Sequence, residues 1–351
     1  MIAINCIFMR CLRNFLLPFA LIYGLITWIR NKFFDWRFFS TYQIPVKSIL
    51  VGNLSVGGTG KTPHVTFLVD FISQNFSTTI LSRGYGRKTK GYLEANSHAT
   101  ALTIGDEPLS YYKRFHDKVS VVVCESRTEG VKRILQSKKT DVIVLDDAFQ
   151  HRNVQVGFSI LLMDYTKPFY RDFMLPTGDL REFSCGKKRA DRLIVTKCPK
   201  VLTEIEKNEI IIRSGFPASH VFFSNIVYGE AISFSSESVK INRNVLLVTG
   251  ISNPTSLFEY LIDFVNNVEM MTFPDHHMFT LSDIQKIHTK FEELEDSSAV
   301  ILTTEKDFMR LQAILMKEEI GKYPWCYVPI SILIDREKDF IEEIISYVDT
   351  I

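Results

Sequence analysis

The chain has 351 residues, 46% of them hydrophobic and 23% charged, a composition that excludes intrinsic disorder and allows a sizeable core in two domains. Lysine and arginine number 41 against 40 aspartate and glutamate residues, so the formal charge of +1 gives no general attraction to nucleic acid. The six cysteines contain no C-x-x-C pair and no paired metal-ligand spacing, which is typical of free thiols in a reducing compartment. We therefore expect a chain that faces the cytoplasm, and any anionic partner must meet a local basic patch.

The first predicted element is an apolar segment near the N-terminus, FLLPFALIYGLITWI at residues 15–29. It is shorter than the roughly 20 apolar residues that a membrane-spanning helix needs, and no small-x-small cleavage site follows, which disfavours a cleaved signal peptide. Arg10, Arg13 and Asn14 fall on one helical face, and the aromatic residues that follow the segment suit a lipid headgroup region. We expect residues 1–36 to form a helix in the membrane interface; a buried core helix is the alternative.

A strand, a glycine-rich turn and a helix come next. The apolar run VKSILVGN at 46–53 indicates a strand, and PHVTFLVDFISQNF at 63–76 has helical spacing, with Pro63 where a first helical turn tolerates it. Further buried strands are predicted at residues 78–82, 119–125, 141–148, 159–164 and 192–197. Continuous apolar strands that alternate with helices favour a parallel sheet covered on both faces.

The pattern changes at a polar stretch, residues 228–244, which we predict to be a linker. Beyond it, strand and helix patterns alternate again on a smaller scale. The predicted fold is therefore α/β, with the N-terminal membrane-associated helix at 1–36, a P-loop NTPase-like parallel-sheet core at 37–227, and the linker with a second, smaller α/β lobe at 228–351.

The turn between the first predicted strand and helix, SVGGTGKT, approaches the phosphate-binding pattern G-x-x-x-x-G-K-[ST]. Its residues, which we predict to hold ATP, are Ser55, Val56, Gly57, Gly58, Thr59, Gly60, Lys61 and Thr62. The glycines admit phosphate oxygens to backbone N–H groups, Lys61 reaches the β- and γ-phosphates, and the Thr62 hydroxyl can ligate Mg²⁺. Ser55 replaces the first glycine, a position that mainly shapes the turn, and a glycine-rich turn with no ligand is the alternative. Val56 stands where partitioning-type ATPases carry a lysine, which disfavours that class.

A second component of a phosphate site is an acidic residue at the end of a buried strand. In VIVLDDAFQHR, four apolar residues precede Asp146 and Asp147, and Gln150 and His151 follow. Neighbouring side chains on an extended strand point to opposite faces, so we expect one of the two carboxylates to face the metal directly. A solvated turn is the alternative for an isolated D-D pair.

Four further motifs carry groups that phosphoryl transfer requires, namely a positioned base and cations for the spread negative charge. They are SRGYGRK at 82–88, GDEP at 105–108, LPTGDLRE at 175–182 and FPDHH at 273–277. Arg83, Arg87 and Lys88 are candidates to hold an anionic substrate group. Arg181 is a candidate to brace a γ-phosphate or the substrate. Each motif alone is typical of a solvated turn or a helix cap.

Taken together and in order, these motifs resemble one family, the tetraacyldisaccharide 4′-kinases, which phosphorylate the lipid A precursor at the inner membrane. The resemblance runs from LLPFALIYGLITWIRN through VGNLSVGGTGKTPH to FPDHH and LTTEKD and covers nearly the whole chain. It implies transfer of the ATP γ-phosphate, with Mg²⁺, to the 4′-hydroxyl of the tetraacyldisaccharide 1-phosphate, giving lipid IVA. The implied partners are an acylated glucosamine disaccharide lipid and the membrane surface, with no nucleic acid and no obligate protein partner. The implied location is peripheral or monotopic on the cytoplasmic face of the inner membrane.

The resemblance also implies roles for individual residues. Asp106 is the expected base toward the 4′-hydroxyl, with His276 orienting it; His277 is expected to pack or cap. The other expected catalytic residues are Lys61, Asp147 and Arg181, and the expected metal site is Thr62, Asp146 and Asp147. The expected substrate-binding residues are Arg83, Arg87, Glu107, Gln150, His151 and Glu182. The sequence separation of Asp106 and His276 predicts that the pair spans the two lobes, which would close around ATP before chemistry.

Two other functions are compatible with the phosphate-binding loop. One is a P-loop ATPase whose hydrolysis switches a protein partner or membrane docking. The other is a soluble small-molecule kinase in which the N-terminal segment is part of the core.

Overall fold

The structure, a computed structural model, describes residue 13 and residues 15–235, 237–241, 244–265, 267–296, 298–312, 314–315 and 322–350. Arg10 and Asn14, which contribute to the predicted polar face of the N-terminal helix, lie outside the described residues. The cysteines within them, Cys124, Cys185, Cys198 and Cys326, are free thiols, as expected.

The helices are numbered in chain order. They are α1 (Leu17–Asp35), α2 (Lys61–Ile72), α3 (Ala101–Ile104), α4 (Asp106–Phe115), α5 (Arg127–Ser137), α6 (Glu204–Ser214), α7 (Thr255–Ile262), α8 (Leu281–Glu292), α9 (Glu305–Leu311) and α10 (Glu337–Asp349).

The strands are numbered in the same way. They are β1 (Tyr42–Gln43), β2 (Lys47–Asn53), β3 (Thr78–Ser82), β4 (Leu93–Glu94), β5 (Ser120–Val123), β6 (Val142–Asp146), β7 (Val154–Gln155), β8 (Phe158–Asp164), β9 (Arg192–Thr196), β10 (Val221–Tyr228), β11 (Ala231–Ser233), β12 (Ser238–Val239), β13 (Val245–Thr249), β14 (Val268–Thr272), β15 (Val300–Thr304), β16 (Trp325–Val328) and β17 (Ile330–Ile334).

These elements form two compact units that are discontinuous in sequence. The first combines the described parts of residues 1–83, 118–226 and 332–351, and the second combines 84–117 with the described parts of 227–331. The predicted division at 37–227 and 228–351 is therefore corrected in two places. Residues 84–117, predicted to be part of the core, belong to the second unit. Helix α10, predicted to be part of the C-terminal lobe, belongs to the first unit, because the chain returns to the first sheet after β16.

The first unit contains the predicted parallel sheet. Its strand order is β17-β10-β9-β8-β2-β6-β3-β5, and the neighbours from β10 to β5 pair in parallel. All residues of β3, β6 and β8 are buried. Because successive side chains on a strand point to opposite faces, this burial means that both faces of the sheet are covered. The register pairs Val51 of β2 with Asp146 of β6, which brings the end of β6 beside the start of the glycine-rich turn.

The second unit has a smaller sheet of strand order β12-β11-β16-β15-β13-β14. The pairs between β14 and β16 are parallel, whereas β11 pairs antiparallel with both β12 and β16. The prediction that residues 228–244 form a linker is therefore wrong, since β11 and β12 lie within them. These strands have three and two residues, too few for a sequence period to be recognised.

Helix α1 exposes most of its apolar residues. Leu21 is 63% exposed and Ile26 60%, whereas the residues of the helix that are buried are Ala20 and Gly24. The alternative of a buried core helix is therefore wrong. None of the described helices has the length and apolar composition that crossing a membrane demands.

Inside α2, His64 is a buried histidine with a partner at each ring nitrogen. Its Nδ1 lies 2.6 Å from the Gly60 carbonyl oxygen and its Nε2 2.8 Å from the Ser224 hydroxyl. A carbonyl oxygen only accepts, so Nδ1 carries the proton and Nε2 accepts from Ser224. Burial lowers the pKa of His64 from 6.5 to about 4, against a smaller opposing effect of the Gly60 bond. The ring is therefore neutral at neutral pH and fastens α2 to β10.

This lowered pKa predicts acid sensitivity of the first unit. Between pH 6.5 and about 4 the unfolded chain binds a proton that folded His64 does not, so stability falls as pH falls through this window. We expect His64 to contribute a loss of about 2 kcal/mol at pH 5 relative to pH 8. Urea unfolding measured over this range should show a shallower pH slope for His64→Asn. The exposed His98→Asn control should retain the wild-type slope, and equal slopes for wild type and His64→Asn would contradict the assignment.

Candidate active site

The glycine-rich turn leads from β2 into α2 with two glycines in the left-handed region. Gly57 has φ +99° and Gly60, which immediately precedes α2, has φ +82°. Such backbone is readily available only to glycine. Lys61 is the first residue of α2 and Thr62 the second, so the orphan N–H groups and the positive end of the helix face the turn.

Ser55, the departure from the phosphate-loop pattern, is explained by its backbone. It forms a β-bridge with Leu180, flanked by the bonds Val56 N–H to Asp179 O (2.8 Å) and Arg181 N–H to Leu54 O (2.8 Å). Extended backbone suits any residue, so this position has no need of glycine. The bridge also fixes the LPTGDLRE motif against the entrance of the turn.

Asp147 lies between two cations at this turn. Its carboxylate is 3.6 Å from Lys61 Nζ and accepts from both terminal nitrogens of Arg181, at 2.9 and 3.4 Å. Burial raises the pKa of the Asp147 carboxyl, but the charges of Lys61 and Arg181 outweigh it and hold the pKa below its ordinary value. Asp147 also has φ +45°, a conformation rare outside glycine, which turns the chain sharply after β6.

Asp146 has a different environment. It is 1% exposed, and its Oδ2 accepts from the Ser82 hydroxyl at 3.0 Å. Buried Arg127 donates to the backbone carbonyls of Asp146 (3.0 Å) and Cys124 (2.8 Å), which ties the ends of β6 and β5 together. Burial lowers the pKa of Arg127 to about 10, so it stays charged. The two adjacent carboxylates thus have different partners, and Asp147, with φ +45°, lies beyond the extended strand on which the sequence prediction was based.

The arrangement of oxygen donors suits Mg²⁺. The Thr62 hydroxyl and the Asp146 carboxylate are hard ligands, and Mg²⁺ in phosphoryl-transfer sites takes its other ligands from phosphates and water. Within the described ranges no three His, Cys, Asp or Glu side chains converge on one metal position.

The side chains of Gln150 and Glu182 form hydrogen bonds with other residues of the protein. Gln150 accepts from Arg181 (3.3 Å) and donates to Asn53 O (2.9 Å) and Glu182 (3.1 Å). Glu182, 3% exposed, also accepts from Arg189 at 2.7 Å and from Asn31 of α1 at 2.8 Å. Through Gln150, these hydrogen bonds help to hold the Arg181 side chain in position beside Asp147.

His151 is neutral and Arg83 is exposed. Burial, followed by the charges of Arg127 and Arg83, lowers the pKa of His151 to about 4. His151 can therefore meet an anion only through a hydrogen bond at neutral pH. Arg83 is the last residue of its segment in the first unit.

The second unit contains the other sequence-predicted residues, Arg87, Asp106, Glu107 and His276. Two loops meet through glycines: a Cβ on Gly84 would lie 2.7 Å from the Ile104 carbonyl oxygen, and one on Gly105 would lie 2.9 Å from the Tyr85 carbonyl oxygen. Only glycine allows this approach, which fixes SRGYGRK against GDEP. Asp106 then begins α4, where the helix dipole favours a carboxylate.

Asp106 and His276 are brought together. The Asp106 Oδ2 atom lies 3.2 Å from His276 Nδ1 and 3.3 Å from Arg310 Nε. Burial raises the pKa of the Asp106 carboxyl, but the His276 bond and the charges of Lys306 and Arg310 outweigh it and lower the pKa below its ordinary value. The hypothesis that this pair spans two lobes is wrong, because both residues belong to the second unit. The position of this pair therefore gives no support to the predicted closure of two lobes around ATP.

The remaining predicted residues of this unit are also placed. Glu107 lies 3.5 Å from Lys306, and Arg87 donates to Gly91 O at 2.6 Å. His277 bonds Asp283 at 3.0 Å and stacks on Phe273, which agrees with the expectation that it packs.

Sequence reasoning missed several residues around these sites. Lys306 and Arg310 lie on α9 and approach His276 and Asp106. The buried side-chain amide of Asn53, 1% exposed, lies at the end of β2 and has no hydrogen-bond partner among the residues that the structure describes. These residues stand in sequence contexts that could have drawn attention to them. Lys306 belongs to TTEKD, which follows an apolar strand, as DDAFQHR does. Asn53 ends VGN, the last part of the strand before the glycine-rich turn. None of these signals indicates which neighbour the side chain meets.

Comparisons with known proteins agree on one relationship. The family model LpxK, described as tetraacyldisaccharide-1-P 4′-kinase, matches residues 12–349. A tetraacyldisaccharide 4′-kinase of Flavobacterium psychrophilum is 42% identical over 351 residues, covering 97% of this chain and 98% of that protein. One of Bacteroides thetaiotaomicron is 39% identical over 356 residues, covering 96% and 93%. The crystal structure of LpxK from Aquifex aeolicus in complex with ATP superposes with a TM-score of 0.72 at 29% identity, covering 97% of this chain and 100% of that one.

The backbone conformation of the glycine-rich turn predicts that substitution weakens ATP binding at Gly60 but not at Ser55. Gly60→Ala forces a Cβ into left-handed backbone, which costs about 1–2 kcal/mol, so we expect affinity for a fluorescent ATP analogue to fall about 5- to 30-fold. Ser55→Gly should leave the affinity within about 2-fold, because the serine backbone is extended. Ser55→Gly restores the first glycine of the phosphate-binding pattern. If it bound the ATP analogue more tightly than the wild type, the extended backbone at Ser55 would not explain the departure from the pattern.

Proposed function

Because the chain belongs to the tetraacyldisaccharide-1-phosphate 4′-kinase family, we propose that its two groups of charged residues divide the reaction between donor and acceptor. The enzyme transfers the γ-phosphate of ATP to the 4′-hydroxyl of the tetraacyldisaccharide 1-phosphate. In this proposal the first unit binds the phosphates of ATP and the second unit supplies the base. The observation that carries it is the pair of ionised carboxylates, Asp147 among Lys61 and Arg181, and Asp106 among His276 and Arg310.

The glycine-rich turn grips ATP through its backbone N–H groups and the N-terminus of α2. Lys61 contacts the β- and γ-phosphates, and Arg181 offsets the negative charge that spreads over the transferred phosphoryl group. Asp147 holds both cations before ATP arrives and releases them to the phosphates. Gln150 and Glu182 position Arg181 from the far side, which we favour over direct substrate contact because their polar atoms are already engaged.

Thr62 and Asp146 are the residues that would hold Mg²⁺. When bound there, Mg²⁺ would supply positive charge that offsets the negative charge developing on the phosphate oxygens. We favour Asp146 over Asp147 as the carboxylate ligand, because Asp147 is compensated by Lys61 and Arg181 whereas the Asp146 carboxylate has a neutral hydroxyl, Ser82, among its partners.

Asp106 accepts the proton of the 4′-hydroxyl. Its lowered pKa keeps it ionised at neutral pH, and the Nδ1–H of His276 fixes one carboxylate oxygen so that the other lone pairs face the acceptor. Glu107, Arg83, Arg87 and His151 are the proposed contacts for the polar head of the disaccharide. Of these, Arg83 is exposed and charged, which suits the anionic 1-phosphate.

Helix α1 docks the enzyme on the membrane that contains its substrate. One face exposes leucine, isoleucine and phenylalanine side chains, and the other is hydrogen-bonded to the LPTGDLRE and DDAFQHR loops through Tyr23, Asn31 and Arg30. Large exposed apolar patches mark membrane or partner sites, and basic residues at the ends of the helix suit anionic lipids. Free thiols and an ATP-dependent reaction suit the cytoplasmic face of the inner membrane.

The kinase assignment and the role of Asp106 are tested with ATP labelled at the γ-phosphate, Mg²⁺ and the disaccharide 1-phosphate in detergent micelles. Asp106→Asn keeps the shape of the side chain and removes its charge, so we expect kcat to fall about 100-fold or more while the Kd for ATP stays within about 2-fold. Lys61→Ala should lower kcat through lost γ-phosphate stabilisation. The exposed Asp117→Asn in the same unit is the matched control and should keep wild-type turnover.

Two outcomes would overturn these proposals. Wild-type turnover in Asp106→Asn would show that Asp106 is not the base. Steady ATP hydrolysis by the wild type without labelled lipid would favour the alternative, a P-loop ATPase that switches a protein partner or membrane docking.

Membrane docking by α1 is tested by co-sedimentation with anionic phospholipid vesicles. Leu21 and Leu25 are 63% and 55% exposed and lie one turn apart on the same face. Because burying a leucine contributes roughly 1.5–3 kcal/mol, Leu21→Glu/Leu25→Glu should weaken vesicle binding about 100-fold or more. The control is Ile205→Glu, an 82% exposed apolar residue of α6. Equal losses in both variants would mean that binding is not specific to α1.

A further inference from the structure

Lys306 contacts the ring nitrogen of His276 that faces away from Asp106. The Lys306 ammonium nitrogen lies 3.1 Å from His276 Nε2 and 3.5 Å from Glu107 Oε1. An ammonium group only donates hydrogen bonds, so Nε2 must present its lone pair to Lys306. On the other side, the ionised Asp106 carboxylate only accepts, so Nδ1 must carry the proton. The two neighbours together permit a single form of the ring, the neutral Nδ1–H tautomer.

The same helix supports both members of the pair. Lys306 and Arg310 are four residues apart on α9 and therefore share a face. Lys306 contacts His276, and Arg310, whose side chain is 2% exposed, contacts Asp106. Arg310 is itself held by Asp307 at 3.3 Å, and the Thr304 hydroxyl fixes Asp307 at 2.7 Å.

A protonated imidazole would be opposed in this setting. It would place an N–H and its positive charge 3.1 Å from the Lys306 ammonium. The other groups that face the ring are Asp106, the Tyr85 ring at 5.0 Å, and Asp275, whose carboxylate is 4.0 Å from Nε2 and beyond hydrogen-bond distance. His276 also has φ +58°, so its backbone is held in a strained conformation that commits the ring to this position.

We propose that Lys306 is a positioning residue that holds His276 as the neutral Nδ1–H tautomer, so that His276 always donates to Asp106. The role of Asp106 as base rests on the proposed function. The tautomer of His276 does not rest on the proposed function, so an experiment can reject the tautomer without rejecting the kinase reaction, and the reverse.

The direct test is the ¹⁵N chemical shifts of the His276 ring in protein labelled at histidine, with His276→Gln used to assign the signal. In the wild type, the neutral ring should show a protonated Nδ1 and an unprotonated Nε2. Lys306→Met should give a mixture with the Nε2–H form or the imidazolium. A wild-type ring protonated on Nε2, or an unchanged ring in Lys306→Met, would overturn the proposal, whatever the activity.

Kinetics separate positioning from a purely structural effect. In the micelle assay, Lys306→Met should lower kcat about 10-fold or more, keep the KM for ATP within about 2-fold, and move the acid limb of the kcat profile to higher pH. Lys306→Arg retains a cationic donor and should recover most of the rate. Lys290→Met, at an exposed lysine paired with Glu269 and Glu293, is the control. A lowered kcat with an unshifted pH profile and no recovery by arginine would overturn the positioning role, as would an unchanged kcat.

Discussion

An ionised carboxylate that is withdrawn from water must be compensated by cations and hydrogen-bond donors, and this requirement organises the candidate residues within each unit. Each unit meets it in a similar way. In the first, Asp147 follows a buried strand and is compensated by Lys61 and Arg181; in the second, Asp106 begins a helix and is compensated by Arg310 and the His276–Lys306 pair. Removing one partner would leave the carboxylate with less compensation, so these side chains hold one another in place.

The hydrogen bonds that position Arg181 beside Asp147 extend outward to helix α1, which exposes apolar side chains. Arg181 is supported by Gln150 and Glu182, and Glu182 accepts from Asn31 of α1. Gly24 of the same helix packs so closely that a Cβ would lie 2.8 Å from the Phe183 ring. The helix that exposes apolar side chains is therefore fixed to the residues that surround the phosphate-binding turn. The contacts of Gly24 and Asn31 lie within the helix, so they hold it along its length and not only at its ends.

The sequence predicted the elements of the first sheet well because they are long, apolar and separated by helices of clear period. The strand predicted at 78–82 is β3 (Thr78–Ser82), and the predicted turn lies between β2 and α2. The sequence could not predict that α10 returns to the first unit, because packing between distant segments leaves no local pattern. It identified Asp106 and His276 through family motifs but missed Lys306 and Arg310, since a lysine and an arginine on a short helix are usually solvated. Their function depends on which residues stand opposite, and only the folded chain determines that.

In the proposed reaction the base is Asp106, whose lowered pKa makes it a weak proton acceptor. If proton abstraction were the main barrier, three groups that lower the pKa would work against catalysis. In phosphoryl transfer the transition state is loose, and the nucleophile forms little bonding, so its proton leaves late. The base then contributes mainly by holding the hydroxyl in line with the phosphorus atom. A carboxylate fixed by Arg310 on one side and His276 on the other suits this task, because its orientation, rather than its basicity, is what its neighbours secure.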